Sequence, residues 1–439
     1  MRICFILPFL MAVAAGIPLS AADGNRLTYL DNLDPYYVSR SFPRFTTPQW
    51  VGEEGVDAVV IMAVDDMRDA PTYEKFLRPI LDRMEQIDGK AHLSIMTCRI
   101  DPKEPHLQKW LEEGVSLETH TVDHPCPLLQ GGDFAKAKST FDRCVDQLSE
   151  APNSHPVAFR MPCCDSKNTP SPRAWAEIFN QTTPHGNFVR IDTSVFDLYP
   201  PNDPTYPRDL VIDSDGRGRF AKYLPFESFA NAIQDYPYPY VIGKLCWEFP
   251  CVAPSDWESF NIQGKVSPRL LEDWKAALDA TVLKQGTMTL VFHPWGWSSA
   301  RQHVEFINYA QSKYGKRVKF LSFRDALQRL EMNALGGQPL RAANGKDNGV
   351  RLLDLNNDGY MDAVIGNDNV RQTRVWSPQK HQWIVSDFPT PIVNADNSDA
   401  GVRFGIFQQD GFPSMLVKNQ TANAAWRFDG GNWVSDQTL

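Results

Sequence analysis

Short apolar runs alternate with longer amphipathic segments from residue 57 to about residue 323. Seven runs have the length and the β-branched content of buried strands, and the segments between them carry apolar residues at helical spacing. Strands that alternate with helices form a parallel sheet, and seven such units favour a barrel over an open doubly wound sheet. We therefore predict an α/β barrel domain over residues 50–335. Its predicted strands are 57–66, 91–100, 114–120, 156–162, 187–196, 287–294 and 318–323.

Two further segments depart from this alternation. Residues from about 198 to 265 are rich in proline, tyrosine and tryptophan, and we predict an insertion or a long lid there. Residues 336–348 form a predicted linker. Beyond the linker the pattern becomes that of strands alone, which predicts an all-β module over residues 349–439.

The C-terminal module contains an internal repeat. The segment 401–419, GVRFGIFQQDGFPSMLVKN, aligns with the segment 349–367, GVRLLDLNNDGYMDAVIGN. Stacked repeats usually need at least three copies to bury a core. The two copies are therefore expected to continue beyond a truncated chain, to pack on the barrel, or to complete themselves with another molecule. We favour truncation, with further propeller repeats missing from this sequence.

The first copy has the spacing of a Ca²⁺ loop. Oxygen-bearing side chains at alternate positions, a glycine and a later acid suit a hard cation, whereas the flanking runs are strands rather than the helices of an EF-hand. The element resembles the FG-GAP and VCBS repeats of β-propellers, which adds a backbone carbonyl to the ligands. The predicted ligands are Asp354, Asn356, Asp358, the Tyr360 carbonyl and Asp362. An acidic turn without a metal is the alternative, and the second copy lacks most of these ligands.

The first 22 residues carry one positive charge, a long apolar run and small residues at positions 20 and 22. This is the pattern of a secretory signal peptide, and a single membrane anchor is the alternative. We predict a secreted, periplasmic or cell-surface protein with no membrane span after signal removal. A net charge of -9 and the lack of a basic cluster argue against nucleic acid as a partner.

Cysteine usage fits an oxidising compartment. One of the eight cysteines lies in the signal peptide, so an odd number remains and a free thiol is expected. Cys246 and Cys251 are candidates for a disulfide. Of the adjacent Cys163 and Cys164, one is expected to pair elsewhere, for example with Cys126, unless both are packed.

Acidic, basic and histidine side chains occur where the predicted strands end. In a parallel barrel these ends meet at one face, so residues distant in the sequence converge there. Two histidines spaced H-x-x-x-H and one carboxylate make an open metal site, and a second carboxylate could take a proton from water. Each residue alone could be a cap, a turn or a core side chain, but their shared placement favours catalysis. The residues are Asp65, Asp66, His120, His124, Arg160, Asp192 and His293.

Five motifs in this region, AVDDM, HTVDH, FRMP, IDTS and LVFH, resemble in order those of the polysaccharide deacetylase family. This family is the NodB-homology domain of carbohydrate esterase family four. The resemblance covers roughly residues 50–335 and implies a distorted (β/α)7 barrel. It also implies removal of N-acetyl or O-acetyl groups from a polysaccharide by water that a divalent metal activates, and we expect N-acetyl in preference to O-acetyl. The metal is usually Zn²⁺.

The resemblance also implies a role for each residue. Asp66, His120 and His124 would hold the metal. Asp65 would be the general base, held in place by Arg160. His293 would be the general acid, with Asp192 as its charge partner.

The sequence departs from the family pattern at two places. Met67 replaces a usual glycine, and IDTSVFD lacks the tryptophan of the fourth motif, D-x-x-D-W. Trp295 and Trp297 are predicted to supply the missing apolar wall for substrate, with core packing as the alternative. Two other functions stay open. One is a carbohydrate- or surface-binding protein with a weakly active or inactive barrel, and the other is a metal amidohydrolase that acts on a non-sugar amide.

Overall fold

The computed structural model describes residues 38, 40–164, 172–223 and 232–438. The predicted signal peptide lies outside these residues and stays a prediction. None of the helices in the described ranges is long and apolar enough to cross a membrane. The α-helices are Thr47–Val51, Ala70–Asp88, Pro105–Glu113, Phe134–Glu150, Pro172–Ala174, Arg208–Val211, Asp256–Gln263, Pro268–Lys284, Ala300–Tyr314 and Phe323–Arg329, with π-helical turns at Trp175–Phe179 and Leu330–Ala334.

A curled, mostly parallel sheet forms the centre of the N-terminal domain. It follows the spatial order β7-β6-β10-β11-β1-β2-β3-β4-β5-β9-β8, and β12 pairs with the start of β1 outside this order. The strands are β1 (Ala58–Met67), β2 (Leu93–Thr97), β3 (Ser116–Thr119), β4 (Ala158–Phe159), β5 (Ile191–Asp192), β6 (Phe196–Leu198), β7 (Ala232–Gln234), β8 (Tyr240–Ile242), β9 (Cys246–Glu248), β10 (Cys251–Val252), β11 (Thr287–Phe292) and β12 (Val318–Phe320).

Local sequence explains the strands and helices of this domain. β1 and β11 are apolar on both faces because helices cover the outer face of the sheet, as in other parallel sheets. Three helices begin at capping boxes, in which the side chains of Ser255, Ser299 and Ser322 each accept a hydrogen bond from the backbone N–H three residues later. Gly89 and Gly114 end two helices at positive φ, where a residue without Cβ carries no strain.

Each of the seven predicted strands overlaps an observed one, but the sheet of the described residues has twelve strands and is open, with β7 and β8 at its two ends, rather than a closed seven-stranded barrel. The predicted insertion at 198–265 contributes β7, β8, β9 and β10, of which β9 pairs with β5, and β10 pairs with β6 and β11. This segment therefore builds the sheet rather than only covering it. The pairing of this segment could not be predicted from the spacing of its apolar residues, because β9 has only three residues and β10 only two.

The C-terminal module consists of two four-stranded antiparallel sheets, each with its strands in sequence order. The two copies of the repeat place the same pair of strands at the start of each sheet. The first sheet contains β13 (Val350–Leu353), β14 (Asp362–Gly366), β15 (Arg371–Ser377) and β16 (Gln382–Asp387). The second contains β17 (Val402–Gly405), β18 (Ser414–Lys418), β19 (Asn423–Phe428) and β20 (Trp433–Ser435).

The first of these sheets packs on the N-terminal domain. Leu352, Met361 and Ile365 belong to the same apolar cluster as β1 and β11, and Trp383 donates its indole N–H to the Gln49 carbonyl at 3.1 Å. The first repeat therefore packs on the N-terminal domain, and the truncation favoured from the sequence stays a prediction. A second apolar cluster, which includes Met415, joins the two small sheets.

The predicted linker at 336–348 is fixed to the N-terminal domain by Arg341. This guanidinium is 2% exposed and donates to the carbonyls of Phe179, Val189, Asn180, Gln181 and Gly345. Burial lowers the pKa of Arg341 to about 10. The linker is therefore part of the packed structure.

Replacing Arg341 by methionine is expected to lower the free energy of unfolding by about 3 kcal/mol or more, because buried carbonyls lose their donor at roughly 1–3 kcal/mol each. Urea unfolding measures the change. Arg301→Met is the matched control, since that side chain is 84% exposed and should shift stability by less than about 0.5 kcal/mol. Equal stability of both variants would contradict the account of the linker.

Candidate active site

The carboxyl end of β1 brings two aspartates to the centre of the site. The pairing of β1 with β2 is irregular between Val64 and Met67, and Asp66 adopts φ 71°. Positive φ is uncommon for a residue with a side chain and is held here by the surrounding structure. The irregular backbone points Asp65 and Asp66 to the same side of the sheet edge, instead of the opposite sides that regular alternation gives.

The loop after β3 brings His120 and His124 to the same place. His124 adopts a positive φ of 51°, and its Nε2 lies 2.8 Å from Asp66 Oδ1 at the end of β1. His120 Nδ1 lies 2.8 Å from the Arg160 carbonyl. Because a carbonyl only accepts, Nδ1 donates to it, and Nε2 is the ring nitrogen that faces the site.

Three ligand atoms converge there. Asp66 Oδ1 lies 2.8 Å from His124 Nε2 and 3.4 Å from His120 Nε2. This oxygen is buried, and the two rings are the groups that face it. Although burial opposes ionisation, the two histidines hold the pKa of Asp66 well below its usual range. An ionised carboxylate oxygen facing two imidazole nitrogens fits a divalent cation, so these residues could hold a metal as predicted.

The other carboxylate of the pair is fixed by the predicted arginine. Arg160 Nη1 donates to Asp65 Oδ1 at 2.5 Å, and the guanidinium also donates to the carbonyl and the hydroxyl of Thr193 at 3.0 and 3.2 Å. Both side chains are almost fully buried. The second oxygen of Asp65 lies 3.9 Å from His120 Nε2 and therefore faces the three ligand atoms.

The acidic partner of His293 is Asp256, and not Asp192 as the sequence predicted. His293 Nδ1 lies 2.8 Å from Asp256 Oδ1, and the His293 backbone N–H and the Ser298 hydroxyl donate to Asp256 Oδ2. Burial opposes a charge on the ring, but the Asp256 carboxylate raises the pKa of His293 to about 10. The ring thus stays protonated at neutral pH and presents Nε2–H to the site.

Asp192 takes part in a different buried group. Its Oδ1 accepts from the Ser194 hydroxyl at 2.7 Å, and burial raises its pKa to about 6. Burial and the neighbouring Asp192 also raise the pKa of Glu248 well above its usual value. The two residues are register partners in the parallel pair of β5 and β9, and none of the contacts that the structure shows for Asp192 involves His293.

An Asp-Trp pair, Asp256 and Trp257, lies in the sequence APSDWE, inside the segment predicted to be an insertion. This pair resembles the end of the D-x-x-D-W pattern that IDTSVFD lacks. Trp257 and Trp297 both line the central cavity. Trp297 contacts the His293 ring edge-on, with ring centroids 4.7 Å apart. Trp295 is 44% exposed and bonds to Asp66. The Asp-Trp dipeptide was the signal that could have identified Asp256 and Trp257.

The converging side chains surround a cavity of about 280 Å³. This volume is near the lower end for small-molecule sites and suits one group inserted from a larger substrate. The lining residues are Asp65, Asp66, His120, His124, Cys126, Cys163, Cys164, Trp257, His293 and Trp297.

A disulfide forms one wall of this cavity. Cys126 and Cys163 are bonded, so the expectation that one of the adjacent cysteines pairs with Cys126 is confirmed. The bond ties the loop of His124 to the loop that follows Arg160. Cys246 and Cys251 are both buried free thiols, and the disulfide predicted between them is wrong. Cys251 instead lies in β10, with its sulfur 3.2 Å from the Thr193 carbonyl.

The three aspartates of the predicted Ca²⁺ loop do not converge as the three residues of the barrel site do, and Ca²⁺ binding there stays a prediction. Asp354 accepts from the backbone N–H groups of Asp358 and Gly359, and the buried Asp362 accepts from those of Leu355 and Trp376. Within the described ranges, the only three His, Cys, Asp or Glu side chains with ligand atoms within 4.8 Å of one another are those of the barrel site.

The other predicted Ca²⁺ ligands are also engaged locally. The Asn356 amide donates to Asp358 Oδ2 at 2.9 Å, the Tyr360 backbone N–H donates to Asp358 Oδ1 at 2.9 Å, and the Tyr360 ring lies under Arg44. The loop therefore closes on its own backbone and on the N-terminal domain.

Comparison with known proteins gives one family match. Residues 53–174 match the family described as polysaccharide deacetylase. No curated protein matches the chain. Similar solved structures include Puue allantoinase, at 13% identity and a TM-score of 0.42 over 65% of this chain and 93% of that one. A Mycobacterium smegmatis protein described as a polysaccharide deacetylase is 13% identical, with a TM-score of 0.39 over 65% of this chain and 93% of that one. The peptidoglycan deacetylase PdaC from Bacillus subtilis is 14% identical, with a TM-score of 0.31 over 63% of this chain and 92% of that one.

Proposed function

We propose that this chain, which carries a polysaccharide deacetylase domain and is a hydrolase acting on carbon–nitrogen bonds other than peptide bonds, is an exported, metal-dependent enzyme that removes N-acetyl groups from a polysaccharide. One observation carries the proposal. A metal-ligand triad, an arginine-held carboxylate and an aspartate-held histidine line the same cavity. A binding protein would have no use for all three.

The residues of the triad define the cofactor. Two histidine nitrogens and one carboxylate oxygen are a ligand set of catalytic zinc, and they leave positions open for water and substrate. When bound by Asp66, His120 and His124, the cation would polarise the acetyl carbonyl and lower the pKa of water.

Asp65 and His293 would move the protons of the reaction. Asp65 accepts a proton from the attacking water, and Arg160 keeps its carboxylate in the position needed for this. His293 Nε2–H donates a proton to the departing nitrogen as the carbon–nitrogen bond breaks. Water and the acetylated amine thus become acetate and a free amine. An amine leaves poorly without a proton, so a histidine held in its charged form favours N-acetyl over O-acetyl substrates.

The apolar side of the cavity would receive the acetyl methyl group. Trp257, Trp297 and the Cys126–Cys163 disulfide supply this surface opposite the charged groups. Because the cavity is small, only the acetyl group and part of one sugar ring would enter it, and the rest of the polymer would lie outside.

Acetate release from acetylated glycans tests the proposal. The panel contains chitin oligomers, peptidoglycan, acetylxylan and acetylated glycosaminoglycans, with simple non-sugar amides in a separate arm. Release from an N-acetylated glycan, lost in His120→Ala, is the expected result. Turnover of the non-sugar amides alone would replace the proposal by an amidohydrolase. Glycan binding without any turnover would replace it by a binding protein.

Reduction of the disulfide is expected to weaken zinc binding by about tenfold, because the His124 loop loses its covalent link to the Arg160 loop and supports of metal ligands typically contribute factors of ~10–100. Competition with a chromophoric chelator, with and without a phosphine reductant, measures the change. The Cys126→Ser/Cys163→Ser double variant should show the weaker affinity from the start and no response to the reductant. An unchanged affinity in both proteins would refute this role of the bond.

A further inference from the structure

The two oxygens of the Asp66 carboxylate have different surroundings. Oδ1 faces the nitrogens of His120 and His124, as described above. Oδ2 accepts the indole N–H of Trp295 at 3.1 Å. The contact joins the end of β1 to the loop after β11. It therefore links these two parts of the site beyond the point where the backbone pairing of β1 with β11 ends.

Trp295 is itself held in place on one side. Its ring contacts the edge of the Tyr73 ring, with centroids 6.1 Å apart and planes at 85°. The Tyr73 hydroxyl donates to the Asp65 carbonyl. The next residue, Gly296, turns the chain at φ 76°. The indole is thus fixed relative to β1, although 44% of the residue is exposed to solvent.

We propose that Trp295 is a positioning residue that sets the metal affinity of the site through Asp66. Its N–H occupies Oδ2 and fixes the carboxylate rotation, so that Oδ1 alone points at the two histidines. Without this donor the carboxylate is free to rotate about its terminal torsion, which is soft for aspartate. Metal binding must then order the Asp66 carboxylate itself, and the rotational entropy lost in that step lowers the metal affinity. This inference rests on the metal role proposed above.

The expected effect is on binding as well as on turnover. Hydrogen-bond partners of metal ligands typically contribute factors of ~10–100 in affinity. Trp295→Phe, which keeps a ring against Tyr73 but removes the N–H, should therefore weaken zinc binding about tenfold or more. Trp295→Gln, which offers an amide N–H without the ring, should recover part of that loss.

The test is a chelator competition on the metal-free full chain, with the visible absorption of the Co²⁺-loaded protein as a second readout. In an Asp66→Ala background the Trp295→Phe change should have no further effect, because the two residues act through one contact. Equal zinc affinity and an equal Co²⁺ spectrum in wild type and Trp295→Phe would overturn the inference while leaving the proposed function intact. Absence of metal binding in the wild type would instead overturn the proposed function.

Discussion

Replacing Asp65 by asparagine is expected to lower kcat by about 1000-fold, within the ~10²–10⁴ range typical of general acid–base catalysis. Asparagine has nearly the same shape and can still accept from Arg160, but it cannot take a proton from water. Zinc affinity and KM should change little, because Asp65 is not one of the three converging ligands. Steady-state acetate release on the preferred glycan provides kcat and KM.

Asp69→Asn is the matched control for this variant. Asp69 lies on the same loop after β1, is exposed, and accepts only from the nearby Thr72 hydroxyl among the side-chain contacts that the structure shows. The control should keep wild-type kcat. A kcat for Asp65→Asn within tenfold of wild type would show that another group serves as the base.

Replacing Asp256 by asparagine is expected to lower kcat by about 100-fold or more, again within the ~10²–10⁴ range of acid–base catalysis, and to move the alkaline limb of the pH profile to lower pH. Burial alone would lower the pKa of His293, and the Asp256 carboxylate is the first group that raises it to about 10. The acid form of His293 exists below its pKa, so activity that depends on this form is lost as the pH rises through it. Removing the carboxylate lowers that pKa and brings the loss to lower pH.

Asp192→Asn discriminates between the sequence assignment and the observed structure. Asp192 contacts Ser194 and lies beside Glu248, so its replacement should leave the position of the alkaline limb unchanged, whatever it does to stability. The pH dependence of kcat, normalised for each variant to its own maximum, makes the comparison. A shift of the limb in Asp192→Asn and none in Asp256→Asn would restore the assignment made from IDTS.

The length and regularity of the strands explain which residues of the site could be predicted from the sequence. Asp65 and Asp66 lie at the end of the long buried strand β1, and His120 directly follows β3, so the apolar pattern of these strands identifies where they end. Asp256 follows β10, which is only two residues long and takes its place from pairing with β6 and β11. Such a strand has no periodicity to detect. Asp192 was predicted instead because IDTS resembles the fourth motif of the family, although β5 is also only two residues long.

The C-terminal module shows a second limit of sequence analysis. The internal repeat correctly predicted two similar all-β units, but an apolar strand pattern does not say which surface will cover it. Leu352 and Ile365 pack into the core of the neighbouring domain. The acidic loop is similar, since the same D-x-N-x-D-G spacing serves a cation or a tight turn that satisfies backbone N–H groups.

Metal-dependent deacetylation is tested by titrating metal-free protein with zinc and following acetate release from the preferred N-acetylated glycan at each addition. We expect the rate to rise linearly and to stop rising at one zinc per chain, and we expect no rise for His120→Ala. Full activity in the metal-free protein, or one bound zinc per chain with no release from any acetylated glycan, would contradict metal-dependent deacetylation.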